Sequence, residues 1–414
     1  MFEPELLAEV RDRFHHVDAC PYQGSRAFFE NAGGSLTLKS VVDINTTLSS
    51  LPDNQGRDNP ASKELVRIIN DAKQDMHLFL GTSDGTVFVG ESGTELLFRI
   101  VRTAILGTPE GEVLGSTLEH PATRSACQRW AGIAGKKHVL VAHNNDTGAI
   151  TAEDYKHFVT PSTRVATIIQ TSPVTGMGVE LREVVDVIRA VSPECLIIVD
   201  GIQHAAHGAL SVADYDIDAF AVSAYKVFSK HNYGVAWLSP RLTVLSHDQL
   251  DGTPDTQWEL GTRDTSAYAT FSMVVRYLEW LGSHFTNATD PRKQLLAAGS
   301  AMVEHEAHLV EKMIHGVNGS PGLMDMPTVH IIGGIDNPKR EGLVALTVDG
   351  VDSFEVVEQL NNDGVRTHVR KADYFSGNVL DPLGLETCVR VSMCHYNSVE
   401  EVQRFLDSMR RIAT

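Results

Sequence analysis

Seven short apolar runs recur along the chain at 86–89, 112–116, 137–142, 165–170, 195–200, 219–223 and 234–238, with helical patterns between most of them. Runs that are apolar on both faces read as strands buried in a parallel sheet, and parallel neighbours need a crossover, usually a helix. Helical patterns at 62–80, 94–106, 121–134, 152–158 and 181–191 supply such crossovers. The expected fold class is therefore α/β, with a mostly parallel seven-stranded sheet. Ligands of such sheets sit beyond the carboxyl ends of the strands, so those ends are where chemistry is sought.

After Asp264 the pattern changes. Helical stretches at 267–285 and 293–316 lead to strand-like runs at 329–332, 343–347, 364–369 and 388–393, with helices at 353–363 and 398–412. This reads as an N-terminal arm (1–25), a large α/β domain (26–265), connecting helices (266–316) and a smaller α+β domain (317–414). Without a repeat or a Gly/Ser linker, the two domains are expected to pack tightly.

With 42% apolar and 21% charged residues among 414, composition excludes disorder, collagen and coiled coil. Fifty-three acids against 35 bases give a net charge of −18, which argues against nucleic acid or an anionic membrane as partner. Five scattered cysteines (Cys20, Cys127, Cys195, Cys388, Cys394) form neither a disulfide framework nor a metal-type pair, so a reducing, cytoplasmic setting is expected. Acids at Glu3, Glu5 and Glu9, and the lack of an 18-residue apolar stretch, argue against an export signal or a spanning helix. His204 with His207, and His305-Glu306-Ala307-His308, look metal-like, but the latter lacks the HExxH spacing and no metal is expected.

Two strand ends carry reactive groups. The run Cys195–Val199 ends in Asp200-Gly201-Ile202-Gln203-His204, and the run Ala219–Val222 ends in Ser223-Ala224-Tyr225-Lys226. One cleft thus receives an acid and an amine; either alone reads as a capping acid or a solvated lysine. Earlier, Gly90-Glu91-Ser92-Gly93-Thr94-Glu95 turns a strand into a helix, leaving N–H groups and a dipole for an anion such as phosphate, although a plain capping box reads the same way. It lacks the lysine of a P-loop and the spaced glycines of a dinucleotide fingerprint. Phosphate site, carboxylate and lysine together match the needs of pyridoxal 5′-phosphate (PLP).

From Phe28-Phe29-Glu30-Asn31-Ala32-Gly33 to the C-terminal helix, the order of elements resembles the class V aminotransferase family of PLP fold type I enzymes, which includes cysteine desulfurases, isopenicillin N epimerase and related lyases. The resemblance implies PLP as cofactor, a small amino-acid substrate and a homodimer. It implies that Gly93 and Thr94 bind the phosphate, with Ser223 and Tyr225. His120, in Glu119-His120-Pro121, would stack on the ring, Asp200 face its nitrogen and Gln203 its phenolic oxygen, while Lys226 forms the Schiff base. Thr262, in Gly261-Thr262-Arg263-Asp264, would reach the partner's cofactor, and Arg390 would grip the substrate carboxylate. Asn31 and Arg57 are further substrate-site candidates, and His207 is placed to hydrogen-bond near the cofactor.

Departures from the family bear on the reaction. A desulfurase needs a cysteine on a mobile small-domain loop, and none lies between Val369 and Leu385; Cys388 and Cys394 read as small buried thiols. Tyr225 stands where most members have histidine, and Ser172-Pro173-Val174-Thr175-Gly176 looks like the epimerase branch. The expected activity is a lyase, by elimination or C–S cleavage, ahead of amino transfer and then epimerisation. A silent partner protein is the non-enzyme alternative, disfavoured by the joint presence of His120, Asp200, Lys226 and Arg390.

Overall fold

The computed structural model describes residues 1–317 and 319–414. Its large sheet holds β1 (Thr86–Gly90), β2 (Glu112–Ser116), β3 (Lys137–Val141), β4 (Thr163–Ile169), β5 (Leu196–Asp200), β6 (Ala219–Ser223) and β7 (Gly234–Leu238), in the order β1-β7-β6-β5-β4-β2-β3. Only β7 runs antiparallel to its neighbours. Alternate residues explain the two-faced burial: Ile197, Val199, Phe220 and Val222 join one core, while Leu196, Ile198, Ala219 and Ala221 join the core on the opposite face.

Helices cover both faces. The helix Gly93–Leu106 starts where Ser92 accepts from the Glu95 N–H at 3.1 Å, and Leu181–Val191 buries Leu181, Val184, Val185 and Ile188 at helical spacing. The segment read as helical over 152–158 stops at Lys156, behind a capping box of Thr151 and Asp154.

A second sheet, antiparallel throughout, has the order β8-β9-β11-β10, with β8 (Val329–Ile331), β9 (Leu343–Val348), β10 (His368–Lys371) and β11 (Thr387–Ser392). Val344, Leu346, Val389 and Val391 pack with the helices Pro291–His315 and Val399–Ile412 in a separate core. The intervening Leu343, Ala345, Cys388, Arg390 and Ser392 therefore face the other way, towards the large sheet's unit.

Three features depart from the sequence reading. The run 364–369 is not one strand: Val365–Arg366 pairs in parallel with Ala27–Phe28, and after Thr367 the chain re-enters the second sheet as β10. Ala27 and Phe29 consequently belong to the smaller core, not to the large domain that was expected to start at 26. The segment 1–25 is not a free arm, because Phe2, Val10, Phe14 and Val17 are buried in the main core. Among the described residues no helix is long and apolar enough to cross a membrane.

Candidate active site

The parallel strands all end at one edge of the large sheet, and the turns that follow them meet there. Behind β1 comes the Gly93–Thr94 turn, behind β2 His120, behind β4 Pro173, behind β5 Asp200 and Gln203, and behind β6 Lys226. Thr94, His120, Asp200, Gln203, Tyr225 and Lys226 line one cavity, together with Ser223.

Asp200 is 3% exposed, and its oxygens accept only from neutral donors, the Ile202 N–H at 3.1 Å and the Thr123 hydroxyl at 3.4 Å. Burial lifts its carboxyl to about 6. Beside it, Glu119 is pushed up to about 8 by burial and by the Asp200 charge, while accepting from the Ile169 N–H at 3.1 Å. A protonated Glu119 leaves Asp200 as the one anion of this pair.

Lys226 Nζ donates to the Ala32 carbonyl at 2.7 Å and to Gln203 Oε1 at 3.2 Å. Burial, reinforced by the Arg390 charge and opposed by Asp200, brings its amine down to about 7. His120 caps the helix Pro121–Ile133, its Nδ1 accepting from the Ala122 N–H at 3.2 Å. Burial and the neighbouring cations depress it to about 4, so the imidazole is neutral. The Tyr225 ring stacks on His231 at 4.5 Å between centroids, inclined by 12°.

At the helix N-terminus, a Cβ on Gly93 would stand 2.3 Å from Ser223 Oγ and 2.4 Å from Ile202 Cδ1. A larger residue would displace these side chains, and glycine brings the first N–H groups of a 14-residue helix up to a serine hydroxyl.

The other candidates fall elsewhere. Arg390 is 3% exposed, and its Nη1 donates to the Pro173 carbonyl at 2.9 Å across the gap between the sheets. The Asn31 amide is taken up structurally: it donates to the carbonyls of Ser392 at 2.8 Å and Phe28 at 3.2 Å and accepts from Tyr396. Thr262 is exposed on its loop, and Arg57 is exposed outside the cavity lining. The histidines singled out for metal spacing point to separate acids, His204 Nδ1 to Glu341 at 2.9 Å and His207 Nδ1 to Glu306 at 2.6 Å. His305 spends both ring nitrogens, on Phe2 N–H and the Asn397 carbonyl. Glu306, Cys394 and His395 converge within 4.8 Å, but His395 is engaged by Tyr277 at 2.6 Å. Cys388 and Cys394 are buried, and burial pushes the Cys388 thiol up to about 12.

Arg370 was missed by the sequence reading, because the expected strand stopped at 369. A signal was available: Arg366, His368 and Arg370 alternate with Thr367 and Val369, so one face of that segment is basic.

The sequence profile described as Aminotransferase class-V matches residues 27–405. The chain belongs to the class V aminotransferase family. Its curated relatives include "Cysteine desulfurase-like protein ustD" of Aspergillus flavus, 26% identical over 94% of this chain and 88% of that protein. Another is "Aminotransferase-like protein FGM3" of Gibberella zeae, 24% identical over 98% of each. Among solved structures, the cysteine desulfurase of Thermococcus onnurineus superposes with a TM-score of 0.82 at 20% identity, covering 100% of this chain and 98% of that one. CsdA, a cysteine desulfurase of Escherichia coli, gives 0.78 at 20% identity, covering 99% and 98%. These two likenesses establish the PLP fold type I architecture.

This class V protein is accordingly a PLP-dependent enzyme. Its cavity fits that cofactor on two counts: a buried carboxylate without a cationic partner, and a glycine-walled helix N-terminus beside a serine hydroxyl.

Proposed function

We propose that this class V enzyme is a lyase acting at Cα and Cβ of a small amino acid, with Lys226 as covalent anchor and as base. The observation that carries the reading is the half-buried Lys226 amine, brought near neutrality by its surroundings and held by Ala32 and Gln203 in the cavity lining. An amine with a pKa near working pH is both a competent nucleophile and a competent base.

When bound, PLP supplies an electron sink that stabilises charge left on Cα. The chain's own residues do the rest. Gly93, Thr94 and Ser223 would hold the phosphate by N–H and hydroxyl donors, and Tyr225 would add a donor that stays protonated because burial raises its phenol. Asp200 would keep a proton on the ring nitrogen by opposing it with a buried charge. Gln203 would donate to the ring oxygen, and neutral His120 would cover one ring face. Arg390 takes the substrate α-carboxylate, for which a guanidinium is suited. Lys226 then carries the proton to and from Cα.

The desulfurase-like Aspergillus relative supports lyase chemistry, whereas the aminotransferase-like Gibberella relative and the class V family favour amino transfer as second reading. Persulfide formation lacks support: no cysteine lies between 369 and 385, and four of the five thiols are buried. We take residues 26–265 as the cofactor-binding unit, 266–316 as connecting helices and 317–414 as the unit supplying Arg390, less the Ala27–Phe29 segment. A cytoplasmic homodimer in which Thr262 reaches the partner's cofactor completes the proposal.

Incubating the PLP-loaded enzyme with single amino acids, with and without an added keto acid, tests it. Release of keto acid, carbon dioxide or sulfide over many turnovers without an acceptor is expected. Turnover that requires the acceptor would replace the lyase reading by amino transfer.

A further inference from the structure

The gap between the two sheets holds two guanidinium groups, of which the proposed function uses one. Arg370 on β10 and Arg390 on β11 lie on adjacent antiparallel strands: Arg370 pairs with Cys388, and Arg390 with His368. The two arginines are therefore diagonal neighbours on one face, with side chains roots roughly 7–8 Å apart. That face is the one Arg390 presents to Pro173 across the gap.

Neither guanidinium is neutralised. Arg370 donates to the Ser376 hydroxyl and Arg390 to the Pro173 carbonyl, both neutral acceptors, and the Nε of each is buried without a partner. Of the acids nearby, Glu30 pairs with Arg366 at 3.0 Å and His368 at 3.4 Å, and Asp373 accepts from the Phe375 N–H at 2.8 Å. Their charges act on Arg390 and Arg370 from a distance, without direct contact. Among the described residues, neither Arg370 nor Arg390 forms an ion pair. Two like charges side by side, Arg390 buried and Arg370 half-buried, are costly unless an anion joins them.

The segment holding Arg370 is docked on the site. Ser376 is fully buried, Asn378 donates to the carbonyls of Thr117 at 2.5 Å and Glu119 at 3.2 Å, and the Phe375 ring lies 6.3 Å from that of His120. The Arg370 charge is felt at Lys226, at His120 and at Arg390. The cofactor's phosphate would be served by Gly93, Thr94 and Ser223, and Asp200 would be offset by its ring nitrogen. With the α-carboxylate on Arg390, one cation is left over.

We infer that Arg370 binds a second anionic group on the substrate, so that the enzyme acts on a short amino acid with an acidic side chain, of aspartate or glutamate size. Resting on the PLP reading above, this narrows the substrate class. A carboxylate, sulfinate or phosphate on the side chain presents the same chemistry to a guanidinium, and the test separates them.

The PLP-loaded enzyme is titrated with L-aspartate, L-glutamate, L-cysteine sulfinate, O-phospho-L-serine, L-alanine and L-cysteine, following the visible absorption of the cofactor. At least one acidic amino acid is expected to half-saturate at a concentration about tenfold or more below that for alanine, the worth of one charge-assisted contact. Among the acidic arms, the one that saturates lowest identifies the side-chain group. Arg370→Gln is expected to collapse that ratio to within about threefold, and Arg370→Lys to restore part of it. An unchanged melting temperature in both variants shows that the fold is intact. Equal half-saturation by alanine and the acidic amino acids in the native enzyme, or a ratio that survives Arg370→Gln, overturns the inference alone. A band that no amino acid moves overturns the proposed amino-acid chemistry and this inference with it.

Discussion

His207 Nδ1 lies 2.6 Å from Glu306 Oε2, although 99 residues separate them, and His207 Nε2 lies 3.1 Å from the Gln203 amide nitrogen. Against burial, which would push it down, the Glu306 carboxylate holds the His207 imidazole up. In the neutral ring with its proton on Nδ1, Nδ1–H donates to Glu306 and Nε2 accepts from the Gln203 amide, whose Oε1 faces Lys226. The acid on the helix Pro291–His315 thereby orients an amide in the cofactor cavity.

Glu306→Leu should leave a buried imidazole without its partner and destabilise the chain by about 3–5 kcal/mol, the cost of breaking a buried pair. Urea unfolding of native and variant chains measures the difference. Glu306→Gln keeps a hydrogen-bond acceptor and should lose less.

Gly93→Ala places a methyl 2.3 Å from Ser223 Oγ and 2.4 Å from Ile202 Cδ1. Relieving that overlap moves the helix N-terminus or the serine, at about 1–3 kcal/mol. Dialysis against PLP should show cofactor affinity reduced by about tenfold or more, following that cost.

Asp200→Asn preserves an acceptor for the Ile202 N–H but removes the buried negative charge. Turnover at saturating PLP is expected to fall by about 10²–10³, the scale of a lost preorganised electrostatic contact. Cofactor content, read by absorbance, should stay within about threefold of native, since the phosphate contacts are untouched.

With Lys226 near 7, the neutral amine rises about fivefold between pH 6 and 7 and less than twofold from 7 to 8. The rate at which the PLP-free chain takes up PLP should follow that curve. Between about 7 and 10.5 the unfolded chain holds a proton on this amine that the folded chain lacks. Stability contributed by this group therefore rises with pH through that window, and Lys226→Met should remove the slope.

The strand ends were legible because apolar runs and the residues that follow them are local signals: Asp200 and Lys226 fall where the pattern at 195–200 and 219–223 puts them. Arg390 was named only through the family resemblance; its place in the strand Thr387–Ser392, alternating with the buried Val389 and Val391, is what turns it towards the large sheet's unit. Contacts between distant segments were not legible. Nothing near His207 in sequence announces Glu306, and nothing near Asn31 announces that Ser392 and Tyr396 consume its amide. Arg370 lay one residue beyond the expected strand because Thr367 breaks that run between two sheets.

All of the proposed chemistry depends on Lys226 carrying the cofactor. Reducing the PLP-loaded enzyme with borohydride and mapping the pyridoxyl group by peptide mass spectrometry tests it directly. The label is expected on Lys226, with none bound in Lys226→Ala. A label on another lysine of the native enzyme, or no label on an enzyme that holds PLP, would contradict it.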